Sequence, residues 1–174
     1  LNYNIRGWLT GINASFAKST TDNSKYFGMQ LSYDWGMQNN QYNGNIAGTQ
    51  WKTKGSGTQR SYGYGYDNTN QLLFADYNQN YNNTWGKTAA GGSIDFSTLI
   101  GDGKNANTAY DQNGNTLSMK QWGLKLGGSS VIDNMQYSYN LSGLSNKLDA
   151  VTEDNSIADK DNKLGDFTDS NRTG

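Results

Sequence analysis

Residues 60–77 read RSYGYGYDNTNQLLFADY, two runs rich in aromatic and aliphatic residues on either side of a polar turn. The first run, Arg60 to Asp67, places tyrosine at every second position, which is the period of a β-strand. Between the runs, Asp67 and Asn70 carry side chains that hydrogen-bond the local backbone and tolerate left-handed φ angles. The stretch therefore predicts a strand, a tight turn and a second strand that starts at Leu72.

The same layout recurs along the chain as a tyrosine, an aspartate or asparagine, a short turn with glycine or asparagine, and an apolar strand start. We expect the tyrosine to end a strand, the Asx side chain to accept hydrogen bonds from amides two residues on, and the glycine or asparagine to adopt positive φ. Successive tyrosines are separated by 24 to 44 residues, so insertions interrupt the repeat. The predicted motif residues are Tyr3, Asn4, Gly7, Tyr42, Asn43, Gly44, Tyr66, Asp67, Asn70, Tyr110, Asp111, Gly114, Asn115, Tyr139, Asn140 and Gly143.

Short aromatic or aliphatic runs separated by Gly- and Asn-rich joints predict further strands, whereas few stretches have the three-and-four spacing of a helix. The fold class predicted is all-β, and single units that cannot bury a face alone are expected to stack as antiparallel hairpins. The predicted strands are Tyr26 to Asp34, Ala47 to Thr53, Arg60 to Asp67, Leu72 to Tyr77, Thr116 to Leu126 and Met135 to Tyr139.

The domain organisation predicted is one hairpin array over residues 1–152 with loops or insertions at about 17–25, 78–92 and 101–108. Residues 153–174 are charged and poorly periodic, and they are interpreted as a polar loop or a cut end. An ordered strand around Lys163 to Phe167 is the alternative for that tail. Because the chain opens at Leu1 without a basic and apolar leader, we expect it to be an internal piece of a longer protein.

Composition restricts the partners and the way the chain folds. Only 33% of the residues are hydrophobic, but 13% are aromatic and the net charge is −1, which is unlike most disordered chains. Turns must rely on 22 glycines and 24 asparagines because proline is absent. The near-neutral charge argues against a nucleic-acid partner, and no apolar run is long enough to predict a membrane-spanning helix.

The residue types present argue against catalysis. Without histidine or cysteine, the chain lacks the nucleophilic triads and the imidazole or thiolate ligands of zinc. Glu153 is the one glutamate, and aspartates such as Asp67 and Asp111 stand in turn contexts, so a carboxylate pair is not predicted. Asp111 to Asn115 and Asp159 to Asn162 resemble the starts of calcium loops without completing an EF-hand. The prediction is no enzyme, with no catalytic residues, no cofactor and no metal site.

Tyr110-Asp-Gln-Asn-Gly-Asn115 and the stretch Tyr64 to Ala75 resemble the repeats of the Rhs/YD family, whose usual form is Y-D-x-x-G-[NR]-L. Arg6 to Thr10 and Gln41 to Ala47 resemble variants common in family members from the Bacteroidetes. The resemblance covers about residues 1–150. Three features depart from the pattern: asparagine replaces aspartate at positions 4, 43 and 140, Asn70 stands where glycine is expected, and the insertions exceed the simple repeat.

The resemblance implies a structural segment of a large bacterial protein that is secreted or exposed on the cell surface. Its stacked antiparallel hairpins would form part of a spiral shell, which in toxin-bearing relatives encloses a C-terminal effector. The expected partners are the remainder of the parent polypeptide, or another protein, through open β edges. The chain lacks the family's core motif and its autoproteolytic aspartates, so the resemblance carries over neither activity.

A carbohydrate-binding module is the alternative function, since exposed aromatics among Asn and Gln can stack on sugar rings. Trp51 and Trp122 lie in strand-like runs, which favours a packing role for them. The candidates for sugar stacking are Trp8, Trp35 and Trp85.

Overall fold

The computed structural model describes residues 1–125 and 128–153. These residues form mostly antiparallel β-sheet with few helices, which confirms the all-β prediction. The chain divides into two compact units, the first spanning Leu1–Ala90 and the second beginning at Gly91. This boundary lies within the single array predicted over residues 1–152.

The first unit is a meander in which each strand from β1 to β6 pairs antiparallel with the next one along the chain. β7 folds back on β6 as a hairpin. The bounds are β1 Asn2–Tyr3, β2 Leu9–Ile12, α1 Ala14–Lys18, β3 Phe27–Ser32, β4 Gly48–Thr53, β5 Gln59–Tyr66, β6 Leu72–Tyr81, β7 Thr84–Gly86 and β8 Thr88–Ala89.

The second unit repeats this arrangement, with β10 to β13 pairing antiparallel in chain order. The bounds are β9 Gly92–Ser93, β10 Thr98–Ile100, α2 Ala106–Ala109, β11 Ser118–Lys125, β12 Gly128–Tyr139, a 3-10 turn Leu141–Gly143 and β13 Leu148–Glu153. Within the described residues β13 pairs with β12 alone.

Each of the six predicted strands overlaps an observed one, but the predicted loops are partly wrong. β6 continues through Tyr81 and β7 follows it, so strands occupy much of the stretch 78–92. The polar residues there are held in the ladder by pairing, with Asn78 opposite Ser61. Helix α1 enters the predicted loop 17–25, and α2 enters 101–108.

β13 was not predicted, and it extends to Glu153, the first residue assigned to the polar tail. The rest of that tail, including the alternative strand around Lys163 to Phe167, lies outside the described residues. Residues 148–153 form a strand because they pair with β12, with Val151 opposite Tyr137 and Ala150 opposite Ser138. Such pairing partners are distant in sequence and leave little local signal.

One face of the β4–β6 region carries an aromatic cluster. Trp51 stacks on Tyr62 with ring centroids 5.6 Å apart, and Tyr62 stacks on Tyr64 at 6.1 Å. Tyr77 meets the ring of Tyr62 edge-on at 5.5 Å and is itself buried. Since aromatic pairs bury large areas, this cluster supplies a core for a chain with few aliphatic residues. Trp51 thus packs within the sheet, as its strand context predicts.

Helix α1 lies against the opposite face of the sheet. Its Phe16 is buried, and Gly28 of β3 lies so close that a Cβ there would sit 2.7 Å from the carbonyl oxygen of Asn13. The side-chain amides of Gln50 and Gln59 donate to the carbonyl oxygen of Ala17 at 3.2 and 2.9 Å. Polar side chains therefore hold the helix on the sheet where many domains use aliphatic contacts.

Candidate functional site

Three of the predicted turns share one hydrogen-bonding pattern, built on Asn4, Asp67 and Asp111. In each, the side-chain Oδ1 accepts from the main-chain amides two and four residues further on. The main-chain amide of the same residue donates to the carbonyl four residues on at 2.9–3.0 Å, and its carbonyl accepts from the amide three residues on. Each turn is thus a five-residue loop closed by four hydrogen bonds, as the repeated layout predicts.

The third residue after the Asx has positive φ in each of these turns. Gly7 has φ 78°, Asn70 has φ 68° and Gly114 has φ 81°. Asparagine is among the few residues that tolerate this left-handed region, which explains why Asn70 can stand where glycine is expected. The departure at position 70 therefore leaves the turn unchanged.

The carboxylates of these turns are stabilised by the same contacts. Desolvation acts to raise the pKa of Asp67, but hydrogen bonds from Gln71 and Thr69 outweigh it, so the pKa lies below its usual range. For Asp111, desolvation also acts to raise the pKa, and hydrogen bonds led by those from Asn115 lower it overall. Both side chains are therefore charged acceptors at neutral pH.

The other two predicted motif copies form different turns. The side chain of Asn43 accepts from the amide of Asn45 at 3.1 Å, and Gly44 has φ 104°. The main-chain amide of Asn140 donates to Lys147 O at 3.0 Å, and Gly143 with φ 85° closes the intervening 3-10 turn. These loops have lengths of their own, so the prediction of one common turn is wrong for them.

These divergent loops dock against the regular turns. The side-chain amides of both Asn43 and Asn45 donate to Oδ1 of Asn70. In the second unit, the side-chain amide of Asn113 donates to Gly143 O at 3.3 Å and that of Asn115 donates to Ser145 O at 3.4 Å. Within each unit, successive turns are therefore joined side by side through asparagine amides.

The tyrosines of the motif fall into two groups. Tyr3, Tyr66 and Tyr139 each end a strand, which confirms the prediction for those positions. Tyr110 instead follows α2 and forms an isolated bridge with Thr116, and Tyr42 lies exposed in the loop before β4. The predicted strand ends at Tyr42 and Tyr110 are therefore wrong, because an insertion and a short helix precede these two positions.

Three tyrosines at or just after a strand end donate their hydroxyls to a carbonyl at, or two residues before, the start of the preceding strand. Tyr33 donates to Leu9 O at 3.0 Å, Tyr66 to Ile46 O at 2.9 Å and Tyr139 to Thr116 O at 3.0 Å. Burial raises the pKa of Tyr33. Burial is also the main cause that raises the pKa of Tyr66, with a smaller effect from the neighbouring Tyr64 hydroxyl, and of Tyr139, with a smaller effect from the Asp111 carboxylate. The hydroxyls therefore remain protonated donors at neutral pH.

Sequence reasoning assigned Tyr33 to a strand and missed its role in the repeat. It directly follows β3 and precedes Asp34, so a Tyr-Asp dipeptide was available as a signal. With Tyr33 in place of Tyr42, the tyrosines are separated by 30, 33, 44 and 29 residues. The repeat is therefore more regular than the spacing that includes Tyr42 indicates.

An aromatic cleft of about 180 Å³ opens beside the first turn. It brings together two of the three sugar-stacking candidates, Trp8 and Trp35, with Trp35 45% exposed. Trp85 lies on β7, outside this cleft. The cleft is lined by Asn4, Ile5, Arg6, Trp8, Thr10, Tyr33, Asp34, Trp35, Gln41 and Tyr42.

Comparisons of the chain with protein-family models, with curated proteins and with solved structures found no match. In residues 1–125 and 128–153 no helix is both long and apolar enough to cross a membrane. The same residues contain no group of three or more acidic, histidine or cysteine side chains placed to hold a metal ion.

Proposed function

We propose that the chain is a structural segment of a large secreted or cell-surface bacterial protein of the Rhs/YD-repeat type. In this role, successive strand-turn-strand units extend a β-ribbon that forms part of a shell around a C-terminal effector. The proposal gives the chain no catalytic role. It depends on the repeated turn and not on any single reactive group.

The observation that carries the proposal is the recurrence of one turn at Asn4, Asp67 and Asp111 with the same four hydrogen bonds. A turn of this kind at one position is common protein chemistry. Its recurrence next to a tyrosine at strand-turn-strand spacing is typical of a repeat protein, in which each unit contacts its neighbours. A segment built this way extends a surface and does not need to enclose a reaction centre.

The lateral contacts between turns support the same proposal. Asparagine amides join the loop at Asn43 to the turn at Asn70, and Asn113 to the loop at Gly143. Tyrosine hydroxyls add a second tie between consecutive strands. These hydrogen bonds join each strand-turn-strand repeat to the next repeat along the chain. Further repeats can therefore be added without changing the existing contacts.

The parent polypeptide provides the test. We expect its sequence on either side of this segment to contain further Tyr-Asx-x-x-Gly units at separations of about 30 residues. We also expect the isolated chain to aggregate or fold only partly, and to become soluble when it is extended by neighbouring units or bound to its partner, because open strand edges recruit other strands.

Two outcomes contradict this proposal. One is a parent sequence in which flexible linkers border this segment on both sides and no further copies of the turn occur. The other is an isolated chain that sediments as a monomer and unfolds in a single cooperative thermal transition. Both together identify a self-contained module.

A further inference from the structure

We propose that the aromatic cleft beside the first turn binds a neutral pyranose ring of a glycan. Trp35 and Tyr42 are the stacking platforms, and Asp34 and Gln41 supply hydrogen-bonding groups for the sugar hydroxyls. The binding role is distinct from the structural role proposed above. Residues of the first turn form one wall of the cleft, but the four residues that would contact the sugar lie outside the hydrogen bonds of that turn.

The walls of the cleft are fixed by contacts that do not involve a ligand. The ring of Trp8 lies 5.1 Å from that of Tyr33, and the guanidinium of Arg6 lies 5.1 Å above Trp8. Nη1 of Arg6 also donates to the carbonyl oxygen of Tyr42 at 3.3 Å, which joins the two sides of the cleft. A preorganised site spends less binding free energy on ordering its own side chains.

Gly44 sets the position of the back wall. It has φ 104°, and a Cβ there would lie 3.1 Å from the indole ring of Trp8. The absence of a side chain at position 44 therefore lets the edge of the six-membered ring of Trp8 lie close to the loop. In this proposal Trp8 is a supporting wall of the cleft, and the sugar stacks on Trp35 and Tyr42.

Two aromatic rings that line the cleft are well exposed, Trp35 at 45% and Tyr42 at 71%. Such rings cost free energy in water unless they are covered, and their faces suit the flat C–H surface of a sugar ring. Both of them line the cleft, whose volume of about 180 Å³ is below the roughly 300–1,000 Å³ of sites for drug-sized ligands. A cleft of this volume is suited to a single sugar ring.

The charges of the cleft favour a neutral sugar. Arg6 is already engaged with Trp8 and with the carbonyl of Tyr42, and Asp34 adds a negatively charged side chain to the lining. A nucleic acid needs a run of free cations along its phosphates, and Arg6 is the single basic residue that lines the cleft. The hydroxyls of an uncharged sugar can instead donate hydrogen bonds to the carboxylate oxygens of Asp34.

The test is a titration of the 174-residue chain with the methyl glycosides of glucose, galactose, mannose and N-acetylglucosamine, followed by tryptophan fluorescence and by NMR chemical shifts. We expect saturable binding of at least one glycoside. Trp35→Ala and Tyr42→Ala should each weaken that affinity at least tenfold, because each removes a stacking face. Trp35→Phe should retain most of it, since an aromatic face remains.

Trp85→Ala is the matched control, because Trp85 is 42% exposed and lies outside the cleft. The affinity of Trp85→Ala for the glycoside should equal that of the unchanged chain, and circular dichroism should show the same β content for all variants.

The proposal is overturned if none of the four glycosides binds, or if Trp35→Ala and Trp85→Ala weaken binding equally. If the isolated chain precipitates, the same titration is made on the chain extended by its neighbouring units, with the same outcomes decisive. Absence of sugar binding leaves the segment proposal intact, since that proposal depends on the flanking repeats.

Discussion

The main-chain amide of Gln71 donates to Oδ1 of Asp67 at 2.8 Å, and the amide of Asp67 donates back to the carbonyl oxygen of Gln71 at 2.9 Å. This reciprocal pair closes the turn between β5 and β6, next to a register shift between Gly65 and Tyr66. Asn4 forms the same pair with Trp8, and Asp111 forms it with Asn115. The acceptor in this turn is either an amide oxygen or a carboxylate oxygen. The stability of the turns built on aspartate should therefore depend on pH, and that of the turn built on Asn4 should not.

The first prediction concerns Asp67 and pH. Its hydrogen bonds hold its pKa below the unfolded value of about 3.9, so its charge stabilises the fold above about pH 4 and that stability is lost as the pH falls further. Asp67→Asn keeps the acceptor oxygen and removes the charge. On the chain extended by its neighbouring repeats, which is used for this and the following unfolding measurements, we therefore expect urea unfolding of Asp67→Asn to show a weaker loss of stability between pH 4 and pH 2.

Asp67→Ala should be less stable than the unchanged chain at neutral pH by about 1–2 kcal/mol, because two amides lose their acceptor at a half-exposed site. Asn4→Ala is a control for charge, since Asn4 makes the same two bonds with an amide oxygen and its loss should not alter the acid response. Equal acid responses in Asp67→Asn and the unchanged chain would contradict the assignment.

The second prediction concerns the left-handed position of the turn. Gly7→Ala should destabilise the chain by about 1 kcal/mol because alanine at φ 78° is strained. Gly55→Ala is a matched control: a Cβ at either glycine meets nothing within 4 Å, and Gly55 lacks a positive φ. Thermal unfolding that shifts equally for both variants would show that the strain at Gly7 is not what matters.

The third prediction concerns the tyrosine hydroxyls. Tyr139→Phe removes the bond to Thr116 O at 3.0 Å and should cost about 0.5–1.5 kcal/mol in the free energy of unfolding. Tyr42→Phe should change stability by less than about 0.5 kcal/mol, because Tyr42 is 71% exposed. If both variants unfold at the same denaturant concentration, the hydroxyl of Tyr139 does not tie the strands together.

Local chemistry made the strands and the regular turns predictable. The stretch from Tyr66 to Leu72 contains its own acceptor, its own left-handed residue and the start of its next strand, so its structure follows from those residues. The motif copy at Tyr42 was wrong because a dipeptide match carries no information about the strand that should precede it. Tyr33 was missed because its hydroxyl bonds Leu9, a residue 24 positions away.

The cleft was predictable in part. Sequence alone indicated Trp8 and Trp35 as candidates together with Trp85, but only the fold separates Trp85 from the other two. The support of Trp8 by Gly44 depends on the path of a loop 36 residues away. The stretch 78–92 appeared as a loop because its polar residues have low strand propensity, which pairing with β5 overrides.

The last prediction concerns Lys52, whose side chain is fully buried beneath α1. Its Nζ donates to the carbonyl oxygens of Ser19 and Asp22 at 2.7 and 2.6 Å and lies 4.5 Å from the centre of the Phe16 ring. Lys52→Met preserves most of the apolar side-chain volume but leaves both carbonyls without this donor. We expect a loss of about 1–3 kcal/mol in the free energy of unfolding, since two part-buried carbonyls lose a charged donor.

The matched control for this variant is Lys54→Met, two residues along the same chain segment and on the surface, where Nζ lies 5.2 Å from the ring centre of Tyr26. That variant should lose less than about 1 kcal/mol, the scale of an exposed cation–π contact. Hydrogen exchange should also rise at the amides of α1 in Lys52→Met and not in Lys54→Met, because Lys52 holds the segment after the helix onto β4. A Lys52→Met chain as stable as Lys54→Met, with unchanged exchange in α1, would mean that apolar contacts at Phe16 alone fix the helix.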